Sequence, residues 1–227
     1  MARFPGSLIP TYIKYFNGYL MNNTMTEADK LAQLTRQSRG NYEAFLYDCD
    51  GTLADNMGAH KLSYQAVAKM YGFELDAALI DELAGWPIIA VAEEIRKRYG
   101  VNFDPAVFTQ QKNTLYESSF INETKPINFV VEHLKQHAGQ LRIGVVSGGS
   151  RAAVSRTLRM LGISPLVEIL VCAGETPRGK PYADPFLYAA RQLDVEPTRC
   201  LVFEDGEPGV QAAEAAGMRW IRIDKIG

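Results

Sequence analysis

Five short apolar runs, each separated from the next by helical sequence, constrain this chain most. They are AFLYD (44–48), RIGVVS (142–147), VEILVCA (167–173), CLVFED (200–205) and RWIRID (219–224). A short run without polar alternation reads as a strand buried on both faces. Strands alternating with helices predict an α/β fold, a Rossmann-like doubly wound parallel sheet. The helices carry their own boundary signals. Ser150 to Leu161 repeats apolar residues at helical spacing and stops at Gly162. Asp184-Pro185 reads as an N-cap followed by a first-turn proline, and Glu207 to Ala216 as an alanine-rich helix closed by Gly217.

The alternation breaks once. Between Asn56 and Asn122 no strand is evident. HKLSYQAVAKMY, DAALIDELAG, IIAVAEEIRKRY and DPAVFTQQKNTLYESSF all read as amphipathic helices. This predicts a helical bundle at 58–122 inserted into a core made of 41–57 and 123–227. The insert would hang over the carboxyl ends of the strands, where open α/β sheets bind ligands. Residues 1–40 read as an N-terminal extension. FPGSLIPTYIKYFNGYLMNN shows no period, and Thr26 to Arg39 predicts a short helix with Thr26 as N-cap and Gly40 as stop. The expectation is a partly ordered leader, or a start at Met21 or Met25; the alternative is a packing or dimer arm.

Composition narrows the function classes. The 227 residues contain 24 Lys plus Arg and 26 Asp plus Glu, a net charge of −2, which argues against non-specific nucleic-acid binding. Hydrophobic residues make up 47% and charged residues 22%, which excludes general disorder. Cys49, Cys172 and Cys200 are an odd, scattered set, so neither a disulfide framework nor a structural zinc site is expected. No apolar run approaches a membrane span. The first 26 residues carry Arg3 and Lys14 with no acid before Glu27, as a transit peptide can, but serines and arginines are sparse and a secretory core is absent. A cytoplasmic protein is expected, and nothing demands more than a monomer.

The strand ends carry the chemistry. The first delivers Asp48 and Asp50, the second Ser147, Gly148 and Gly149, the loop after the third Lys180, and the fourth Glu204 and Asp205. A parallel sheet brings these to one crevice. Crowded carboxylates repel unless a cation sits among them, and an oxygen-only set suits Mg²⁺. Lys180 would neutralise a phosphate oxygen, while the Ser147 hydroxyl and the loop amides would donate hydrogen bonds to others. Such equipment suits phosphoryl transfer.

In order, DCDGTLAD (48–55), VVSGGS (145–150), GKPYADPF (179–186) and VFEDGEPGVQAAEAAGM (202–218) resemble the four motifs of the haloacid-dehalogenase-like hydrolase superfamily. The likeness spans about residues 43–224. It is closest to the branch holding β-phosphoglucomutase and sugar-phosphate phosphatases such as fructose-1-phosphatase. The resemblance implies Asp48 as nucleophile, forming an aspartyl-phosphate, and Asp50 as general acid and then base. It implies Mg²⁺ held by the Asp48 carboxylate, the Asp50 backbone carbonyl and Asp205, with Glu204 as ligand or support. It also implies Ser147 and Lys180 as phosphate holders and the helical insert as a cap that excludes water.

Other residues keep two readings. Thr52 and Asp55 are expected to support the first loop. His60 lies where mutases of this branch have a histidine contributing to cap closure, and equally reads as a helix-end histidine. Trp86, in AGWPII, either contacts substrate or packs against helices. Mutases usually carry an arginine just after the glycine of that loop; Gly85-Trp86-Pro87-Ile88 has none. His133 and His137, four apart on a helix, could pair on a metal, but no third ligand is evident and surface placement is expected. Cys49 should point away from the acids by strand alternation. The leading expectation is a Mg²⁺-dependent phosphatase for a small phosphorylated metabolite, a sugar phosphate. A phosphomutase is the second reading, and a non-catalytic metabolite-binding protein the third.

Overall fold

The computed structural model describes residues 25–83 and 86–227, so residues 1–24 of the extension expected at 1–40 lie outside the described residues. The apolar runs form one five-stranded parallel sheet from β1 (Ala44–Tyr47), β4 (Arg142–Val146), β5 (Ile169–Val171), β6 (Cys200–Glu204) and β7 (Arg219–Arg222). The order is β5-β4-β1-β6-β7. The chain winds outward from β1 to β5, then crosses back to the other side of β1. The crevice therefore opens at the carboxyl end of the central strand, with Tyr47 registered between Val145 and Phe203.

Strand alternation divides the core into two faces. Phe45 and Tyr47 point to one, packed with Phe129 and Leu134 of α6 (Asn128–His137) and with Val154 and Leu158 of α7 (Arg151–Met160). Ala44 and Leu46 point to the other, packed with Phe186 and Ala190 of α8 (Asp184–Leu193) and with Ala212 of α9 (Glu207–Ala215). Cys49 belongs to the first face, buried away from the acids as alternation requires.

The chain leaves and re-enters this core through a small antiparallel pair, β2 (Ala54–Asp55) and β3 (Lys125–Pro126). Between them lie α2 (Met57–Met70), α3 (Ala77–Glu82), α4 (Ile88–Tyr99) and α5 (Pro105–Leu115), the last running into a π-helical turn at Tyr116–Phe120. These helices have an apolar centre of their own, including Val67, Ile80, Ala92, Ile95, Phe103 and Phe108. Asp104 caps α5 through the amides of Ala106 and Val107, ahead of its first-turn Pro105.

Three expectations change. First, the helix expected at Thr26–Arg39 runs Glu27–Gln37 (α1), and it is no loose leader. Thr26 and Asp29 form a reciprocal capping box, Leu34 is fully buried in the sheet core, and the Glu27 carboxylate accepts the Phe129 amide at the start of α6 (3.0 Å). Second, Asp184 does not cap α8. Ala183 holds the cap position, and Asp184 pairs with Arg178 instead. Third, His133 is not on the surface. It is fully buried, with Nε2 hydrogen-bonded to Ser38 Oγ and Nδ1 to Tyr47 OH, both at 2.9 Å, and its ring stacks on Phe45. Its helix face points at the core together with Phe129 and Val130, four and three residues before it. His137 is half-buried and bonds the His133 carbonyl through Nδ1 (2.7 Å), so the two histidines do not converge on a metal.

Candidate active site

The carboxyl ends of β1, β4 and β6 deliver their acids and hydroxyl to one cavity of about 480 Å³, roofed by the helical insert. Asp48, Asp50, Ser147, Gly148, Lys180, Glu204, Asp205, His60 and Trp86 all line it.

At the floor, Lys180 Nζ donates to Asp48 Oδ1 (2.7 Å), Glu204 Oε1 (2.6 Å) and the Val146 carbonyl (2.8 Å). Glu204 Oε2 accepts the amides of Asp205 and Gly206, each at 3.0 Å. Both Glu204 oxygens are therefore engaged, fixing Lys180 on one side and the turn into α9 on the other. Gly209 makes this possible, because a Cβ there would collide with the Glu204 carboxyl. Thr52 Oγ1 donates to Asp205 Oδ1 (3.0 Å), while Asp55 is exposed. Gly51 has φ +88°, which favours glycine, and a Cβ there would meet the Asp205 carboxyl. The Ser147 hydroxyl accepts the Gly149 amide (3.0 Å), shaping the loop that leads to Ser150, the N-cap of α7.

The electrostatics are unbalanced. Burial, reinforced by the Glu204, Asp205 and Asp50 charges, pushes Asp48 well above the usual carboxylate range despite Lys180. Burial and Glu204 push Asp205 up to about 6. Burial would lower Lys180, but Asp48 and Glu204 outweigh it and hold it above its ordinary value. Asp48, Glu204 and Asp205 each offer an oxygen within 4.8 Å of the others. Hard oxygen donors short of positive charge are the chemistry of a divalent-cation site, so these residues fit Mg²⁺.

Asp50 sits in a different environment. Burial would raise it, yet His60 and Asn56 hold it down at about 2. Asn56 Nδ2 donates to Asp50 Oδ1 and to Tyr116 OH, and His60 Nε2 lies 3.7 Å from the same Asp50 oxygen. Behind His60 stands Lys112, whose Nζ donates to His60 Nδ1 (2.7 Å). An ammonium only donates, so Nδ1 must be the acceptor and the neutral ring carries its proton on Nε2, facing Asp50. The His60 ring stacks on Tyr116 with centroids 4.0 Å apart. Burial lowers Lys112 to about 8 and, with the Lys112 charge, lowers His60.

Lys112, Asn56 and Tyr116 escaped the sequence reading. A signal existed for one of them. Phe108, Lys112 and Leu115 fall on one helical stripe, so the lysine occupies a position where an apolar residue is expected.

The architecture and motifs have counterparts among known proteins. The family model described as haloacid dehalogenase-like hydrolase matches residues 45–223. A fructose-1-phosphate phosphatase of Escherichia coli K12 is 30% identical over 177 residues, covering 78% of this chain and 94% of its own. A phosphorylated carbohydrates phosphatase of Thermotoga maritima is 30% identical over 185 residues, covering 79% of this chain and 83% of its own. The β-phosphoglucomutase of Bacillus subtilis is 28% identical over 187 residues, covering 78% and 80%. Among solved structures, β-phosphoglucomutase from Clostridium difficile superposes with a TM-score of 0.69 at 25% identity, covering 80% of this chain and 84% of that one. The family match spans most of the chain, from the first core strand to the last, and the chain belongs to the haloacid dehalogenase-like hydrolases.

Proposed function

We propose that the protein is a Mg²⁺-dependent phosphatase that hydrolyses a small sugar phosphate through an aspartyl-phosphate on Asp48. The observation that carries this reading is the cavity floor. One buried carboxylate, Asp48, lies between a fixed ammonium and a cation-seeking acid pair, with a second carboxylate of opposite titration behaviour two residues on. The phosphatase relatives named for fructose 1-phosphate and for phosphorylated carbohydrates supply the substrate class.

Asp48 Oδ attacks phosphorus in line, and the bond from phosphorus to the leaving oxygen breaks. Asp50 gives its proton to that oxygen. Asp50 then takes a proton from water as the water attacks the aspartyl-phosphate, releasing inorganic phosphate and restoring Asp48. The low position of Asp50 suits the second half. The first half needs it protonated, and a phosphate dianion brought beside it supplies the negative charge that raises it. Ser147 holds phosphate oxygens, and Lys180 joins it when substrate draws one of its three protons away from Asp48, Glu204 or the Val146 carbonyl. Asp48, Asp205 and the Asp50 carbonyl would hold Mg²⁺, which when bound neutralises the phosphate charge. Glu204 serves as a support, because both its oxygens are already engaged. The insert acts as the cap.

A mutase is the second reading, favoured by His60 beside Asp50 and by the phosphoglucomutase relatives. Phosphate release from a panel of phosphorylated metabolites, with Mg²⁺ and with EDTA, tests the proposal. Mg²⁺-dependent release from sugar monophosphates is expected. No release from any member ends it, and bisphosphate-primed conversion of β-glucose 1-phosphate to glucose 6-phosphate without net release replaces it with the mutase.

A further inference from the structure

Where α5 ends, the helix changes its pairing. The Ile121 amide reaches back to the Tyr116 carbonyl rather than to that of Glu117, one residue nearer. The Glu117 carbonyl thereby loses its ordinary helical donor. A side chain from the core supplies one. Arg156 of α7 donates from Nη1 to the Glu117 carbonyl (2.7 Å) and from Nη2 to Asn122 Oδ1 (2.8 Å). Both acceptors are uncharged oxygens, so the guanidinium fork here fixes the path of the chain instead of pairing with a carboxylate. A further bond comes from the start of the same helix, where Ser150 Oγ donates to Glu117 Oε1 (3.0 Å). Ala153 packs against the cluster of Tyr116 and Ile121. α7 thus grips the π-helical turn by its backbone, a side chain and an apolar contact.

The grip reaches Asp50. Tyr116 and Asn56 are each 2% exposed. Asn56 Nδ2 donates to Tyr116 OH (3.0 Å) and to Asp50 Oδ1. An amide nitrogen has two protons, so both are committed, one to each oxygen. Tyr116 therefore sets the orientation of Asn56, and Asn56 that of the Asp50 carboxyl. The Tyr116 ring also backs His60, with centroids 4.0 Å apart. Without the Arg156 donors, the Ile121 amide would return to the Glu117 carbonyl as in an ordinary α-helix, and the turn that carries Tyr116 would change its path. Arg156 itself lies outside the cavity lining, so its effect passes through this relay.

Building on the phosphatase reading, in which Asp50 protonates the leaving oxygen, we infer that Arg156 is a positioning residue for that step. It holds the π-helical turn, and through Tyr116 and Asn56 the Asp50 carboxyl, in the orientation that reaches the leaving oxygen.

Two esters separate the positioning of an acid from a general loss of structure. The alkoxide leaving fructose 1-phosphate needs a proton, whereas 4-nitrophenyl phosphate releases a stable phenolate that needs none. Arg156→Ala should lower kcat/KM with Mg²⁺ by about tenfold or more for fructose 1-phosphate, and by less than about threefold for 4-nitrophenyl phosphate. Asn122→Ala removes one acceptor of the fork at an exposed position and should show the same selectivity more weakly. Asp50→Asn should show it more strongly. Equal losses on the two esters in Arg156→Ala, beside a selective loss in Asp50→Asn, overturn the inference alone. Equal losses in Asp50→Asn remove the acid role from Asp50 and the inference with it.

A second readout does not depend on turnover. The Asn56 side-chain amide protons, followed by NMR in protein carrying isotope-labelled asparagine, should exchange with water about tenfold faster or more in Arg156→Ala than in the wild type. Unchanged exchange overturns the relay whatever the activity. Faster exchange in a protein whose wild type releases no phosphate from either ester would overturn the phosphatase reading and support the relay.

Discussion

Acid should destabilise this protein through one histidine far from the cavity. His133 is fully buried between α1, α6 and β1, against the rings of Phe45 and Phe203. Burial, with His137 beside it, lowers it to about 3, from an ordinary value near 6.5. Between these values the unfolded chain binds a proton that the folded chain refuses. Its contribution to stability is therefore complete above about pH 6.5 and lost progressively as pH falls toward 3. At about 1.4 kcal/mol per pH unit, lowering pH from 7 to 5 should remove about 2 kcal/mol. Urea unfolding of the wild type and His133→Gln at both pH values measures it. Glutamine keeps a polar group for Ser38 and Tyr47 but cannot titrate, and every other group is common to both proteins. The stability difference between wild type and variant should shrink by about 2 kcal/mol between pH 7 and 5. A difference that does not change with pH would refute the reasoning.

Three further outcomes follow from the geometry. Gly209→Ala should reduce phosphate release by roughly tenfold or more with an unchanged far-UV circular dichroism spectrum, because the new Cβ displaces Glu204 from Lys180 while alanine itself favours the helix. Lys180→Met should cost about 3–5 kcal/mol in urea unfolding without Mg²⁺, since Asp48 and Glu204 are left buried without their shared ammonium; Mg²⁺ should recover part of the loss. Leu34→Ala should cost about 3 kcal/mol in the same assay, against nearly nothing if α1 were a loose leader.

The legible and illegible parts of this chain differ for physical reasons. A parallel strand packed on both faces must be apolar throughout, so AFLY, RIGVV and CLVFE declared themselves, and the acids at their ends marked the crevice. The motif acids and Ser147 were legible because they lie at or just past a strand end, whereas Lys180, in the loop after β5, was legible only from its motif. Lys112 was not legible, since its role depends on a meeting with His60, 52 residues away on another helix of the insert. His133 misled because an exposed and a buried histidine look alike in sequence; the difference lies in Ser38 and Tyr47, partners 95 and 86 residues away. The docking of α1 was equally hidden. Its N-cap, Thr26, was visible, but the face of α6 that receives it becomes defined only once the sheet is assembled.

The nucleophile is the central claim. Asp48→Asn keeps the side chain's shape and removes the attacking carboxylate, so phosphate release by this variant beside the wild type, both with Mg²⁺, tests it most directly. Release from sugar monophosphates by the wild type and a loss of about a thousandfold or more in the variant are expected. Comparable release by the two proteins would contradict the account, because the chemistry would then not pass through Asp48.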